Sequence, residues 1–434
     1  MRQKLLSDSS KELSYEIREI VKKAELLQKS GKTIYWENIG DPIQKNCAFP
    51  EWMRDILKEL IKDNNTFGYC HSKGVPATRE FLAEKTNALG GIKIGPEDIL
   101  FFNGLGDAIS KAYQYIEPTS RVIGPSPSYS THSSAEAAHA FHHPLTYTLD
   151  PDNNWYPDLD DLYFKVKYNP NIVGILLINP DNPTGMVYPL DILERIVEIA
   201  REFNLFIISD EIYLNITYNG TRTYALAEII EDIPGIAMKG ISKEFPWPGA
   251  RCGWMEFYNR DKDQEFDRFC ATLENAKMIE VCSTKLPQLA IPKIMSDPRY
   301  EDYKRNRNER IGKRSQIITD ILSSVDALKF NPTYGAFYNT IIFKKGVLKK
   351  HQKLKIDDPE IKALAESWVK TECTPLDKRF VYYLLAATGI CVVPVSSFCS
   401  DLMGFRITLL EENEEMLVQN FNNLKEAILE YIAS

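Results

Sequence analysis

The sequence of 434 residues has no apolar run long enough to span a membrane. Its longest apolar runs, residues 175–178 and 205–208, are far shorter than the roughly 18 residues that a spanning helix needs. Residues 1–14 are polar, mixed in charge and without an apolar core, which argues against a signal peptide. We therefore predict a cytoplasmic protein that does not insert into a membrane.

An excess of basic residues is also missing. The 52 lysine and arginine residues are outnumbered by 60 aspartate and glutamate residues, so the net charge is −8 at pH 7. This charge gives no basic surface for nucleic acid or for an anionic membrane. The eight cysteines include no Cys-x-x-Cys pair, and we interpret them as reduced thiols of a cytoplasmic chain.

No internal repeat or low-complexity segment is present, and the hydrophobic (44%) and charged (26%) fractions are ordinary for a globular protein. This composition excludes a disordered, collagen-like or coiled-coil chain. Between residues 75 and 255, helical patterns alternate with short apolar runs, which lie at 99–102, 120–123, 173–178 and 205–208. Continuous apolar strands separated by amphipathic helices predict an α/β fold, with a mainly parallel sheet covered by helices on both faces.

The length allows about three domains of roughly 150 residues, or one large and one small domain. We predict the second arrangement: residues 1–50 join the small lobe, 51–300 form the large domain, and 301–434 form a small α+β domain. A charged stretch at 344–358 is predicted to be a solvated insertion. Further elements are predicted from periodicity, namely helices at 11–28, 190–203, 298–324 and 412–432 and a strand at 336–343.

Ligands of open α/β sheets bind beyond the carboxyl ends of the strands, so the residues after each apolar run are candidates for function. The run at 99–102 is followed by Asn103-Gly-Leu-Gly-Asp-Ala-Ile109. Glycines between a strand and a helix can hold a phosphate on backbone N–H groups at the helix N-terminus. The segment is only half of a dinucleotide fingerprint, because Ile109 replaces the third glycine, and a plain structural turn is an equal alternative.

Two further strand ends carry polar side chains. Asn182 lies in the rigid segment Asn179-Pro-Asp-Asn-Pro-Thr-Gly185, which is either an ordinary turn or a donor to a ligand oxygen. Asp210 directly follows a buried strand, where an unpaired carboxylate is costly. Asp210 is therefore either part of a structural salt bridge or helix cap, or a carboxylate that keeps a bound heterocycle protonated.

Lys243 lies in an irregular segment rich in bulky apolar residues, Lys239-Gly-Ile-Ser-Lys-Glu-Phe-Pro-Trp-Pro-Gly-Ala-Arg-Cys-Gly-Trp254. Desolvation and neighbouring cations lower the pKa of a lysine and make it a Schiff-base nucleophile. Arg251 supplies a cation suited to a phosphate. A single lysine is usually a surface group, so Lys243 is a candidate only because of its companions.

The order of these motifs resembles the class I/II aminotransferases of the fold-type-I pyridoxal-phosphate family, over almost the whole chain. Within that family the sequence is most similar to alanine-type enzymes that couple glutamate to pyruvate. Three segments carry this closer resemblance: Asn38-Ile-Gly-Asp-Pro42, Tyr69-Cys-His-Ser-Lys-Gly74 and Trp155-Tyr-Pro-Asp-Leu-Asp-Asp161. The resemblance implies pyridoxal 5'-phosphate as cofactor and a seven-stranded type of mostly parallel sheet in the large domain.

The resemblance also implies roles for the catalytic residues. Lys243 would form the Schiff base with the cofactor and later move a proton. Asp210 would pair with the pyridinium nitrogen and maintain the electron sink. Asn182 and Tyr213 would hydrogen-bond the phenolic oxygen, and Tyr129 would stack on the ring.

The remaining implied roles concern the phosphate, the substrate and a second subunit. The phosphate would be bound by the backbone of Leu105 and Gly106 and by the side chains of Ser242 and Arg251. The α-carboxylate of the substrate would be bound by Arg406 through a bidentate pair, with Gly40 and Asn182 beside it. Tyr69 would reach the phosphate of the neighbouring subunit, which implies a homodimer with shared active sites.

The sequence departs from the family pattern at two glycines. Gly240 replaces the serine or threonine that usually stands three residues before the lysine, and Gly106 replaces a common hydroxyl residue. Two side-chain donors to the phosphate are therefore missing. The segment 344–378 is also longer than usual.

Two other clusters of charged or titratable residues are interpreted without a functional site. His132, His139, His142 and His143 lack the ligand spacing of a zinc site, so no metal is predicted. The acidic segment 411–415 is interpreted as the charged first turn of the last helix.

The predicted function is transamination between an L-amino acid, with L-alanine favoured, and 2-oxoglutarate or pyruvate. Alternatives are a transaminase for an aspartate, aromatic or methionine donor, a C–S or β-lyase on the same fold, or a cofactor-binding regulator without turnover. The regulator is disfavoured because no DNA-binding segment precedes the core and the chain is acidic.

Overall fold

The computed structural model describes Leu5, Ser10, residues 17–371 and residues 373–434. The first part of the helix predicted at 11–28 and most of the polar segment 1–14 lie outside the described residues. The described strands are β1 Tyr35–Trp36, β2 Ile99–Phe102, β3 Arg121–Ser126, β4 Thr146–Asp150, β5 Tyr156–Pro157, β6 Ile172–Ile178, β7 Phe206–Asp210, β8 Gly235–Gly240, β9 Gly253–Tyr258, β10 Leu328–Lys329, β11 Tyr338–Phe343, β12 Ile390–Cys391, β13 Val393–Pro394 and β14 Gly404–Thr408.

Helices connect most of these strands. The described α-helices are α1 Ile17–Lys29, α2 Glu51–Leu60, α3 Pro76–Asn87, α4 Leu105–Gln114, α5 Ser130–Ala140, α6 Leu159–Tyr168, α7 Leu190–Phe203, α8 Leu226–Ile229, α9 Ile241–Glu244, α10 Gln264–Ile279, α11 Lys285–Met295, α12 Tyr300–Leu322, α13 Pro359–Trp368, α14 Leu376–Thr388 and α15 Glu414–Ala433. Short 3₁₀ turns occupy Asn64–Phe67, Pro96–Asp98, Pro248–Ala250, Arg260–Lys262 and Val395–Phe398. None of the described helices is long and apolar enough to cross a membrane.

The largest sheet has eight strands in the order β2-β9-β8-β7-β6-β3-β4-β5. Strands β3, β4, β6, β7 and β8 pair in parallel, whereas β9 runs antiparallel to both of its neighbours and β5 antiparallel to β4. This sheet confirms the predicted α/β class and the mostly parallel, seven-stranded type, to which the two-residue strand β5 is added at one edge.

Both faces of this sheet are buried, as the continuous apolar runs predict. Along β2, Ile99 and Phe101 belong to one hydrophobic cluster, whereas Leu100 and Phe102 belong to another. Because successive strand residues point to opposite faces, the two clusters lie on the two sides of the sheet. Strand β2 and helix α7 have the predicted bounds, while β3 continues past residue 123 to Ser126, where it pairs with β4.

A second core surrounds a four-stranded antiparallel sheet in the order β10-β11-β14-β13, together with the parallel pair β1-β12. Helices α1, α12, α13, α14 and α15 contribute buried residues to this core, together with the strands. Helix α12 contributes to both cores, because Tyr300 packs with the large sheet while Ile318 and Leu322 pack with the small one. The predicted division at residues 50 and 300 stays a prediction.

Two sequence interpretations of charged segments need correction. In the stretch 344–358, the side chains of Leu348, Gln352 and Leu354 are buried, so this stretch is anchored to the small core rather than solvated throughout. In the acidic segment 411–415, only the last two residues belong to the first turn of α15. Glu411 is buried instead, with Oε2 3.0 Å from Nζ of Lys45, because the buried lysine needs a counter-charge.

Candidate active site

A cavity of about 170 Å³ lies at the carboxyl ends of β6 and β7, where the sequence argument expects a ligand. We call it the Lys243 cavity. Most of the candidate site residues line it: Leu105, Gly106, Tyr129, Asn182, Asp210, Tyr213, Ser242, Lys243 and Arg251. Its remaining lining is mainly apolar, from Ile109, Ile178, Ile212 and Pro248.

Lys243 is presented by the one-turn helix α9, directly after β8. Its Nζ donates a hydrogen bond to the carbonyl oxygen of Gly40 at 2.5 Å, so the N-terminal segment reaches the catalytic candidate. Burial, with the positive charges of Arg406 and Arg251, lowers the pKa of Lys243 to about 8, although the Asp41 carboxylate acts in the opposite direction. With this pKa roughly one amine in ten to one in five is neutral between about pH 7 and 7.4, against fewer than about one in a thousand for an ordinary lysine, so Lys243 is a competent nucleophile.

Asp210 ends β7 and is buried, as the sequence predicts. Its Oδ2 lies 3.1 Å from Nε2 of His132, and its Oδ1 accepts a hydrogen bond from the backbone N–H of Ile212. Nδ1 of His132 has no hydrogen-bond partner among the described residues. The partner of the buried carboxylate is therefore a histidine that sequence analysis considered only as a metal ligand.

An anion cradle lies at one end of the cavity. Gly104 has φ +85° just before α4, a conformation that favours glycine, and a Cβ there would lie 2.5 Å from Nη2 of Arg251. The first N–H groups of α4, at Leu105 and Gly106, have no partner within the helix. Together with the guanidinium of Arg251, they form a site for an anion such as phosphate.

The two glycines that depart from the family pattern differ in the space around them. A Cβ at Gly240 would lie 3.1 Å from both the carbonyl oxygen of Cys252 and Cδ1 of Ile212, which is a crowded position. A Cβ at Gly106 would have only one neighbour within 4 Å, Nη2 of Arg251 at 4.0 Å. Packing therefore leaves little room for a side chain at Gly240, whereas Gly106 has room for one.

Arg406 lies on β14, outside the cavity lining, and its guanidinium reaches toward the same site. Nη1 donates to Oδ1 of Asn182 at 3.1 Å, and Nη2 donates to the carbonyl oxygen of Asn38 at 2.9 Å. Nε has no hydrogen-bond partner among the residues that the structure describes. Neutral acceptors hold this buried cation, and no carboxylate of the described part of the chain pairs with it, so the position is suited to an anionic ligand.

Tyr213 is buried, and its hydroxyl lies 3.1 Å from the hydroxyl of Tyr338. Burial and the neighbouring Tyr338 hydroxyl raise the pKa of Tyr213, so it remains a protonated donor. Sequence analysis placed Tyr338 only in a predicted strand and gave no signal for its contact with Tyr213.

Tyr69 does not line the cavity of its own chain, and 82% of it is exposed. Other large apolar side chains are exposed on the nearby segments, which are joined by contacts of Cys70 with Ser283 and of Lys285 with Asn65. We call these residues the Tyr69 patch: Phe67, Tyr69, Met278, Ile279 and Val281.

The residues of the Lys243 cavity fit pyridoxal phosphate. The anion cradle matches its phosphate, Asp210 matches a protonated ring nitrogen, and Lys243 matches its aldehyde. Among the residues that the structure describes, no group of three His, Cys, Asp or Glu side chains could hold a metal ion. His139, for example, contacts the carbonyl oxygen of Ser120 at 2.8 Å.

Comparison with known proteins agrees with this geometry. A family profile described as "Aminotransferase class I and II" matches residues 38–420. The chain is 52% identical to an uncharacterized aminotransferase of Methanocaldococcus jannaschii over 432 residues, which cover 100% of both chains.

Two more distant similarities concern alanine-type enzymes. The chain is 33% identical to the glutamate-pyruvate aminotransferase AlaA of Escherichia coli over 291 residues, 66% of this chain and 69% of that protein. The solved structure of an alanine aminotransferase from Pyrococcus furiosus superimposes with a TM-score of 0.85 at 26% identity, covering 98% of this chain and 100% of that one.

Proposed function

The chain belongs to the class I and II aminotransferases, and from this premise we propose that it uses pyridoxal 5'-phosphate to transfer an amino group between L-alanine and a 2-oxo acid. The observation that supports the proposal best is the Lys243 cavity. There, an amine with a lowered pKa shares a small cavity with a buried carboxylate and an anion cradle.

In this proposal each residue has a distinct task. The N-terminus of α4, Ser242 and Arg251 bind the phosphate, and Asp210, held by His132, keeps the ring nitrogen protonated. Bound pyridoxal phosphate supplies an electron-withdrawing ring that stabilises negative charge at the substrate Cα. Lys243 carries the cofactor and then moves a proton at the substrate Cα.

Tyr213 and Asn182 orient the ring through its phenolic oxygen, and Tyr129 packs on the ring face. Arg406 binds the substrate α-carboxylate with Gly40 and Asn182 beside it. Since Arg406 also donates to Asn182, one hydrogen-bonded path links the carboxylate site to the ring site. Such a link favours one orientation of the amino acid over the cofactor.

L-alanine as the donor is supported by the names of the alanine-type relatives, at modest identity. An α-carboxylate clamp accepts any L-amino acid, so aspartate, aromatic or methionine donors remain alternatives, as does a β-lyase activity. The cytoplasmic location stays a prediction.

We also propose a homodimer with shared sites, in which Tyr69 contacts the phosphate of the other subunit. The support is the Tyr69 patch, because large apolar side chains such as Ile279, 86% exposed, are typical of a surface that a partner covers.

The test begins with purified protein and added pyridoxal phosphate. We expect a yellow protein, and treatment with borohydride should discharge the yellow colour and leave the cofactor fixed on Lys243. Fixation on the buried Lys239 instead would contradict the assignment. A panel of amino donors with 2-oxoglutarate or pyruvate then identifies the substrate. Conversion to the pyridoxamine form indicates transamination, whereas release of ammonia and a 2-oxo acid without an amino acceptor indicates a lyase.

A further inference from the structure

Tyr338 is a buried residue at the start of β11, and it contacts three parts of the candidate site. The first contact is with the cofactor side. Its hydroxyl lies 3.1 Å from that of Tyr213, and the two rings pack edge to face at 5.8 Å. The hydroxyl of Tyr213 can donate to one acceptor while its oxygen accepts from Tyr338.

The second contact is with the carboxylate side. The guanidinium carbon of Arg406 lies 4.4 Å from the centre of the Tyr338 ring, and 5.0 Å from the centre of the Phe398 ring. Cations at these distances over aromatic faces are attracted to them. The two rings therefore fix the guanidinium without using the hydrogen-bonding positions that a carboxylate would take.

The third contact is with the backbone that holds the lysine. A Cβ added at Gly40 would lie 2.1 Å from the Tyr338 hydroxyl oxygen, so the hydroxyl rests directly against the Gly40 backbone. The carbonyl oxygen of the same Gly40 accepts the hydrogen bond from Nζ of Lys243. Tyr338 therefore contacts Tyr213, Arg406 and the Gly40 backbone to which Lys243 is hydrogen-bonded.

We propose that Tyr338 is a positioning residue that acts on the cofactor through the Tyr213 hydroxyl and on the substrate carboxylate through the Arg406 guanidinium. This inference rests on the proposed function. The two effects belong to different parts of the side chain, the hydroxyl and the ring. Substitutions that remove one part or both therefore separate them.

The hydroxyl effect has a definite sign. A donor from Tyr338 to Tyr213 strengthens the donation of Tyr213 to the phenolic oxygen, because hydrogen bonds in a chain polarise one another. A better stabilised phenolic oxygen lowers the proton affinity of the neighbouring Lys243 nitrogen. Loss of the Tyr338 hydroxyl should raise the pH at which the cofactor-bound protein titrates.

The experiment compares Tyr338→Phe and Tyr338→Leu with wild type, all loaded with pyridoxal phosphate. Tyr218→Phe is the matched control, since it removes a buried hydroxyl that bonds to Thr333 and lies outside the cavity lining. The readouts are the pH titration of cofactor absorbance, the Kd of pyridoxal phosphate and the KM for the amino donor.

For Tyr338→Phe we expect the absorbance midpoint to rise by about 0.1–0.5 pH unit, a fraction of one hydrogen bond because the effect is transmitted through Tyr213, with KM within about twofold of wild type. For Tyr338→Leu we expect the same rise and, in addition, a KM about three- to tenfold higher, because the cation loses an aromatic face. Tyr218→Phe should leave all three readouts unchanged.

A purely structural role would lower the melting temperature without moving the midpoint in Tyr338→Phe, and that result overturns the inference. An unchanged KM in a folded Tyr338→Leu protein also overturns it. If the leucine variant does not fold, the phenylalanine variant, which lacks a single oxygen, still decides the hydroxyl effect. Failure of wild type itself to change absorbance with pyridoxal phosphate would instead reject the proposed function and this inference together.

Discussion

Nε2 of His132 lies 3.1 Å from Oδ2 of Asp210, and both side chains are buried, with Asp210 lining the Lys243 cavity. For a hydrogen bond to a carboxylate, Nε2 must carry the proton and donate. The other oxygen of Asp210 is held by the N–H of Ile212. Both oxygens of the carboxylate are thus oriented before a ligand binds.

We predict that His132→Leu lowers kcat about ten- to a hundredfold, because hydrogen bonds to charged groups contribute roughly 1.5–3 kcal/mol. His132→Gln, which can still donate to Asp210, should recover part of the loss. Steady-state kinetics with L-alanine and 2-oxoglutarate measure both variants. Wild-type kcat in His132→Leu would mean that Asp210 does not need the histidine.

The sequence predicts the members of the site that follow strand ends, but not the residues that hold them. Asp210 and Asn182 are marked by their position after apolar runs. His132 lies in the first turn of α5, and Tyr338 begins a strand of the other sheet. Their contacts with Asp210 and Tyr213 join positions that are far apart in the chain, and no local pattern marks such a pairing.

A second prediction follows from the lowered pKa of Lys243, about 8 in the fold against 10.5 as the ordinary value. Between these two pH values the unfolded chain binds more protons, so the stability of the cofactor-free protein should rise with pH in this window. Below pH 8 the burial penalty on the charged amine is fully present. Lys243→Met should therefore stabilise the cofactor-free protein at pH 7 by roughly 1–3 kcal/mol, measured by urea unfolding.

Lys239→Met is the matched control for this prediction. Burial disfavours the charged form of Lys239, but Glu256 and Glu211 outweigh it and raise its pKa. Removing that cation leaves two buried carboxylates without a counter-charge, so the variant should be less stable by about 3–5 kcal/mol at pH 7. If Lys243→Met is destabilised in the same way, burial of the charged Lys243 amine does not destabilise the cofactor-free protein, and the prediction is wrong.

A third prediction concerns the missing hydroxyl at Gly106. Space for a side chain exists there, beside the N-terminus of α4 and the guanidinium of Arg251. Gly106→Ser should bind pyridoxal phosphate about three- to tenfold more tightly, because it adds a donor to the anion cradle. Gly106→Ala adds the same carbon without a donor and should not tighten binding. Equal Kd values for the serine and alanine variants, from titration of cofactor-free protein, would contradict the prediction.

The fold was more predictable than the site, for a physical reason. Strands that are buried on both faces appear in the sequence as continuous apolar runs, and β2 and β6 could be located from them. The pair β1-β12 has two residues in each strand and joins Tyr35 to Ile390, so no local pattern marks it. The prediction that the stretch 344–358 is a solvated insertion was wrong because its three buried side chains lie among many charged residues.

A fourth prediction concerns the substrate carboxylate. Arg406→Lys should raise the KM for the amino donor about ten- to a hundredfold, nearly as much as Arg406→Ala, because one ammonium cannot reproduce two parallel hydrogen bonds. Arg314→Lys is the control, since this buried arginine contacts Leu409 and Glu412 away from the cavity. An unchanged kcat/KM in Arg406→Ala would exclude Arg406 as the carboxylate ligand.

The last prediction concerns assembly and uses two inactive variants, Tyr69→Ala and Lys243→Ala, unfolded and refolded together. If Tyr69 contributes to the active site of the other subunit, one site of a mixed dimer contains both substitutions and the other site contains neither. Random pairing should then restore about a quarter of the wild-type activity.

The control for this mixing experiment is Asp210→Ala with Lys243→Ala. Asp210 and Lys243 line the same cavity of one chain. Every active site of their mixed dimer therefore contains one of the two substitutions, and no activity should return. Tyr69 lies outside that cavity, with 82% of it exposed, so the two mixtures should behave differently only if a second copy covers the Tyr69 patch. Recovery in neither mixture, with mixed dimers demonstrated by mass, would reject the shared site and leave Tyr69 as a surface residue of its own chain.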